Sequence, residues 1–129
     1  MHIIIMEEND SLASETSTFY KWISQSYPDV TVSTPENKAR HQLNDQTLLL
    51  PLVQLATSPD LINYLKLVLE YMSFKFRGAM KSDSNTIEVR AEITNGPNGE
   101  SKRFRYKGTA DGYSQTVEKF DPNAFFNGD

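Results

Sequence analysis

Two histidines, one carboxylate cluster, four glycines and a basic strand are where this sequence could hold chemistry. His2 stands at the start of an apolar run and His41 in a polar stretch. Neither has a carboxylate or a second histidine at ligand spacing, so incidental histidines explain them better than a metal or acid–base site. Glu7-Glu8, with Asp10, follows the first apolar run, at the C-terminal end of a strand where open α/β folds commonly place a site. These residues could take a cation, but a charged strand terminus ahead of a helix is the far simpler account of them. Gly96, Gly99, Gly108 and Gly112 form no phosphate loop: no Gly-Lys-Ser/Thr follows, and turn chemistry covers them. No Ser, His and Asp combination suggests a nucleophile. The expectation is a protein that is not an enzyme, with no catalytic, metal or cofactor-binding residues and no cofactor.

The basic strand is the strongest charge feature. Lys102, Arg103, Arg105 and Lys107 alternate with Phe104 and Tyr106, the composition of a single-strand nucleic-acid platform. Alternation works against that use, because aromatics that face the core cannot also stack bases on the charged face. Pairing of Arg103 and Arg105 with Glu88 and Glu92 across a hairpin is the simpler account. Arg103, Arg105 and Lys107 remain the candidate basic surface.

The elements that must position these residues read as follows. Ile87, Val89, Ala91 and Ile93 alternate with Glu88, Arg90, Glu92 and Thr94; Asn95-Gly96-Pro97-Asn98-Gly99 turns the chain, and the basic run returns. This predicts an antiparallel hairpin over Thr86–Lys107. Residues 2–6 predict a short strand, Leu12–Gln25 a helix with Phe19, Ile23 and Trp22 on one side, and Val30–Ser33 a second strand. Residues 34–46, polar and aperiodic, predict a mobile binding loop. Thr47–Ala56 reads as a helix of two to three turns or as a strand, with Pro51 opposing either. Ser58-Pro59-Asp60 opens a helix that runs to Arg77 and stops at Gly78. That helix is apolar almost all round, so either it is central or its second face meets a partner. Gly108–Gly112 reads as a turn, Tyr113–Phe120 as a short helix or strand, and Asp121–Asp129 as a loose tail whose Phe125 and Phe126 dock on the body or on a partner.

The class is therefore α+β: a small mixed sheet, with a β-α-β start, helical middle and C-terminal β-hairpin, packed on two to three helices. Residues 1–120 make one domain, and 121–129 its tail. With 129 residues, no cysteine and a net charge of −4, the chain suits a soluble cytoplasmic protein that needs no disulfide. The acidic balance argues against a dedicated nucleic-acid binder. No apolar stretch is long enough to span a membrane, and Ile3–Met6 is too short for a signal-peptide core.

The order of elements resembles the effector-associated constant components of bacterial conflict systems. The resemblance runs through Ile3–Met6, Leu12–Ile23 with Trp22-Ile23, Val30–Ser33, Leu48–Met72 and Ile87–Tyr106 around Gly96-Pro97-Asn98-Gly99, over residues 1–110. The chain departs from the family in carrying Thr57-Ser58-Pro59-Asp60 where glycines are usual, in lacking a Pro-Gly turn in its middle loop, and in a weak closing helix. The resemblance implies a non-enzymatic adaptor, an accessory or regulatory partner of an effector or sensor in antiviral defence, and transfers no catalytic residue. The expected partner is another protein of that system or a second copy of the chain. Its candidate interface is Tyr64, Leu67, Tyr71, Phe74, Phe125 and Phe126. The alternative is a small nucleic-acid-binding or inhibitory immunity protein, of the kind phages encode, working through Lys102–Lys107. A third reading is a ligand pocket between the hairpin and the long helix.

Overall fold

Every second residue of His2–Ile5 is apolar and buried, Ile3 and Ile5, and this strand, β1, is the hub of one half of the sheet. The computed structural model describes residues 1–8, 10–36, 39–41, 47–76, 86–94 and 101–127. After β1 come β2 (Leu12–Ala13), α1 (Thr16–Ser26), β3 (Thr31–Ser33), β4 (Arg40–His41), β5 (Thr47–Leu49) and β6 (Val53–Leu55). The chain continues through α2 (Ser58–Lys75), β7 (Thr86–Ile93), β8 (Lys102–Thr109), α3 (Ala110–Glu118) and α4 (Pro122–Asn127). The fold is a small α+β fold with a mixed sheet. β1 pairs parallel with β3 across α1 and antiparallel with β6. β7 pairs parallel with β5 and β6 and antiparallel with β8.

Thr47–Ala56 is a strand with a break, not a helix. Leu49 faces Glu88 and Val53 faces Ala91, so the three residues Leu50, Pro51 and Leu52 lie opposite the two residues Val89 and Arg90. One extra residue makes a bulge, and the bulge is where a proline without an N–H fits a buried strand. The ladder resumes on either side, with Leu50 N–H donating to Glu88 O at 3.2 Å and Met6 N–H to Leu52 O at 2.9 Å.

The expected helix start at Leu12 is also corrected. Leu12 and Ala13 pair in parallel with Arg40 and His41, which places a strand inside the stretch read as a loop. Helix α1 begins only at Thr16, whose hydroxyl donates to Ala13 O at 2.7 Å. Leu12, Ala13 and Glu15 are good helix formers, so it is the pairing with Arg40 and His41, not local propensity, that delays the helix. Residues 37–38 and 42–46 of the expected loop, Arg77 and Gly78 at the expected helix end, and the hairpin turn 95–99 lie outside the described residues.

Gly108–Gly112 is not a turn. β8 runs to Thr109 and α3 starts at Ala110, with Thr109 Oγ1 accepting from Gly112 N–H at 3.0 Å as the helix cap. The two glycines make room for Tyr106: a Cβ on Gly108 would stand 2.7 Å from its hydroxyl, which donates to Thr109 O at 2.8 Å. The C-terminal stretch forms α4, which seats Phe125 against Phe104 and Phe120 with ring centroids 6.2 and 5.6 Å away.

One apolar cluster joins Ile3 and Ile5, Val53 and Leu55, Ile87 through Ile93 at alternate positions, and Phe104 to the inner faces of α1, α2 and α3. Helix α2 has neighbours on both flanks as well as the sheet. Phe19 of α1 packs edge-on against Tyr64 and Tyr71, at 6.3 and 4.7 Å, while Tyr113 of α3 donates its hydroxyl to Leu65 O at 2.9 Å. This absorbs the apolar excess of the helix. The space between α2 and the hairpin is filled by fully buried side chains, among them Leu61, Leu65, Val68, Ile87 and Val89, where the third reading put a pocket. No helix among the described residues is long and apolar enough to cross a membrane.

Candidate interaction groove and the charged sheet face

Of the six residues expected at an interface, the structure takes three out of reach. Tyr64 and Tyr71 are completely buried and Leu67 is 3% exposed, because α1 and the sheet close over them. Of the four candidates on α2, Phe74 alone reaches the surface, at 43% exposure. Phe125 is half-buried on the body, with Lys102 Nζ 5.1 Å from its ring centroid, and the side chain of Phe126 lies outside the described residues.

Phe74 does not stand by itself. The last turn of α1 brings Trp22 to it, stacked at 6.3 Å, and Trp22 also meets Tyr71 edge-on at 5.1 Å. Tyr27 closes α1, its N–H donating to Ile23 O at 2.8 Å, and Pro28 prevents the helix from continuing. Its ring thereby lies edge-on to Trp22 at 5.6 Å. Trp22, Ser26, Tyr27, Glu70, Ser73 and Phe74 line an open groove of about 400 Å³ between α1 and α2. Tyr27 and Glu70 also line a second groove of about 340 Å³, which Met1, Val30, Asn63, Lys66 and Leu67 complete.

Beneath the groove Tyr71 donates its hydroxyl to Glu15, whose carboxylate also holds Lys75 Nζ at 2.9 Å. Burial first, then the hydrogen bond and charge of Glu15, push the Tyr71 phenol far above its ordinary value, so it stays a neutral donor. The groove thus has a rigid aromatic floor, two serine hydroxyls and one carboxylate on its rim. These are recognition groups: ring faces for apolar or cationic contacts, and hydroxyls for adaptable hydrogen bonds.

Trp22, Tyr27 and Glu70 were not singled out by sequence. Trp22 was visible on the apolar side of α1, and Tyr27-Pro28 as the helix stop, but nothing in their spacing links them to Phe74, some fifty residues on.

The other face of the hairpin carries the charges. Glu92 stands directly opposite Arg103, and their side chains meet at 3.0 Å, as the alternation predicts. Arg90 stands opposite Arg105, a like-charge pair, and the conflict is resolved by two carboxylates. Arg105 reaches diagonally to Glu88 at 3.4 Å, while Arg90 turns to Glu8 from the N-terminal segment and donates to Leu50 O at 3.0 Å. Glu88 and Arg90 are 2% and 9% exposed, and among the described residues Glu88 Oε1 and Arg90 Nε have no hydrogen-bond partner. The basic surface of Arg103, Arg105 and Lys107 is exposed, but both arginines are drawn to carboxylates of β7.

Glu8, one of the carboxylates considered for a cation, serves Arg90 instead. His2 Nε2 lies 2.7 Å from Ser33 Oγ on the neighbouring strand. Among the described residues no three His, Cys, Asp or Glu side chains converge as a metal site. No family model, curated protein or solved structure matches the chain.

Proposed function

We propose that the chain is a non-enzymatic protein-interaction module, an accessory or regulatory component of a bacterial conflict system that partners an effector or sensor in the cytoplasm. The observation that carries this reading is Phe74, exposed beside Trp22 and Tyr27 in an open groove with a rigid floor. Tryptophan and tyrosine anchors in a preformed pocket are the usual centre of a binding hot spot. The system itself is suggested by the resemblance of the element order to effector-associated constant components. The alternative, nucleic-acid binding or inhibition through Lys102–Lys107, draws less support. Arg103 and Arg105 reach carboxylates, and the net charge is −4.

The test is co-expression with the products of neighbouring genes, above all a peptidase, a TIR-like effector or an ATPase sensor, followed by size-exclusion chromatography with light scattering. A complex that Phe74→Glu abolishes without lowering the melting temperature is the expected result. A chain that stays monomeric beside every such product, or a complex indifferent to Phe74→Glu, overturns the reading. A gel shift that weakens with salt and is lost in Arg103→Glu/Arg105→Glu would favour the alternative.

A further inference from the structure

We infer that the groove between α1 and α2 recognises a cationic side chain, arginine or lysine, carried on a basic segment of the docking partner; the inference rests on the interaction reading above. Three independent features of the groove point the same way. Glu70 is exposed on the rim where the two grooves meet, and it has no ion pair among the described residues. The ion pairs of α2 and its surroundings use other groups: Lys75, five residues on along the helix, is held by Glu15 at 2.9 Å. The walls are the rings of Trp22, Tyr27 and Phe74, and a ring face attracts a cation, tryptophan most strongly. Helix α1 ends at Ser26 with no basic residue in its last turn, so none of its own side chains offsets the negative end of its dipole where Ser26 and Tyr27 line the groove.

A neutral aliphatic side chain would cover the same rings but would strip water from Glu70 and return nothing to it. An anion would meet Glu70 and the helix end together. A guanidinium stacks on the rings and reaches the carboxylate with the same planar group. Lys66, one turn before Glu70, lines only the second groove, and its repulsion sets the incoming cation at the Trp22 and Phe74 end.

Trp22 is the sole tryptophan of the chain, so its indole N–H gives a single reporter in an NMR titration. The probes are the acetylated tripeptide amide glycyl-arginyl-glycine and its counterpart with neutral citrulline. The arginine peptide should shift the Trp22 signal saturably, and the citrulline peptide should bind about tenfold more weakly. Glu70→Gln should weaken the arginine peptide roughly fivefold and flatten its salt dependence. Phe74→Ala should remove saturable binding, and Lys66→Gln should tighten it. All three side chains are exposed, so these variants leave the core intact. Equal binding of the two peptides, or a Glu70→Gln variant that binds like the parent, overturns the inference. If that happens while Phe74→Glu still dissolves the complex with the partner, the groove docks a neutral segment and only the cation assignment falls. If neither effect appears, the interaction reading falls with it.

Discussion

Arg90→Met tests whether the charged face of the hairpin is a buried network or a solvated surface. Arg90 is 9% exposed and makes three contacts at once: Glu8, Leu50 O at 3.0 Å, and Glu88 with its Nε at 3.9 Å. Methionine matches the apolar stem but leaves Glu88, 2% exposed and already short of one hydrogen bond, to Arg105 alone. Arg105 is a weak substitute, being 3.4 Å away with a side chain 63% exposed. Removing one partner of a buried pair costs about 3–5 kcal/mol, because the other charge stays buried. With an unfolding entropy of about 2.1 cal/mol/K per residue, the 129 residues give about 0.27 kcal/mol/K, so the melting temperature should fall by about 11–18 °C. Adding Glu88→Gln should recover at least half of that loss, since the stranded charge is then gone. Glu88→Gln by itself should cost far less, because Arg90 keeps Glu8 and Leu50 O. Calorimetry of the four proteins, with urea melts to check that the slope is unchanged, measures the cycle. A loss under about 1 kcal/mol for Arg90→Met, or no recovery with Glu88→Gln, would show that solvent screens the network and would refute the argument.

Two further outcomes follow from the packing. Burial raises the phenols of Tyr64, Tyr71 and Tyr113 well above the ordinary value of about 10, with Glu15 adding to the effect at Tyr71. The folded chain therefore keeps protons that the unfolded chain releases. This stability is complete below about pH 10 and is lost as the pH rises further, at about 1.4 kcal/mol per pH unit for each tyrosine. Phenolate absorbance from these three should rise together with the loss of far-ultraviolet circular dichroism, and a rise well before unfolding would contradict their burial. At the start of α3, a Cβ on Gly112 would collide with the Tyr106 hydroxyl. Gly112→Ala should destabilise the parent by about 1–3 kcal/mol yet stabilise a Tyr106→Phe chain by up to about 1 kcal/mol, through helix propensity. Thermal melts of both backgrounds check this change of sign; loss of the same size in both would show that the hydroxyl is not the obstacle.

Legibility followed the range of the interactions. The strands of the hairpin were readable because their alternation is local, down to the meeting of Arg103 with Glu92. Arg90 was not, since its partner Glu8 lies 82 residues away and no alternation within the hairpin can show it. The strand β2 escaped for the same reason: two residues, Leu12 and Ala13, take their conformation from Arg40 and His41. Pro51 argued rightly against an uninterrupted element, but only the register of β7 shows that its strand continues past a bulge. Glycines 108 and 112 had the residue type of a turn, whereas their use is to clear space for a phenol that packs from the strand.

The long helix shows how far composition can carry a functional argument. Its surplus of apolar residues was sound evidence that α2 has more than one neighbour, but it could not say whether those neighbours belong to the same chain. They do: α1 takes Tyr64 and Tyr71, and α3 takes Leu65 through Tyr113. Yet the two helices run antiparallel, with Glu15 ahead of α1 held to Lys75 and Tyr27 at its other end beside Glu70, so Phe74 and Glu70 lie alongside α1 and stay exposed at the seam beside Trp22. The proposed working surface is therefore small and aromatic with a single carboxylate, a seam between two antiparallel helices rather than a whole face of one. A partner that fits it needs a protruding side chain more than a broad apolar patch, and Glu70 sets the charge that side chain should carry.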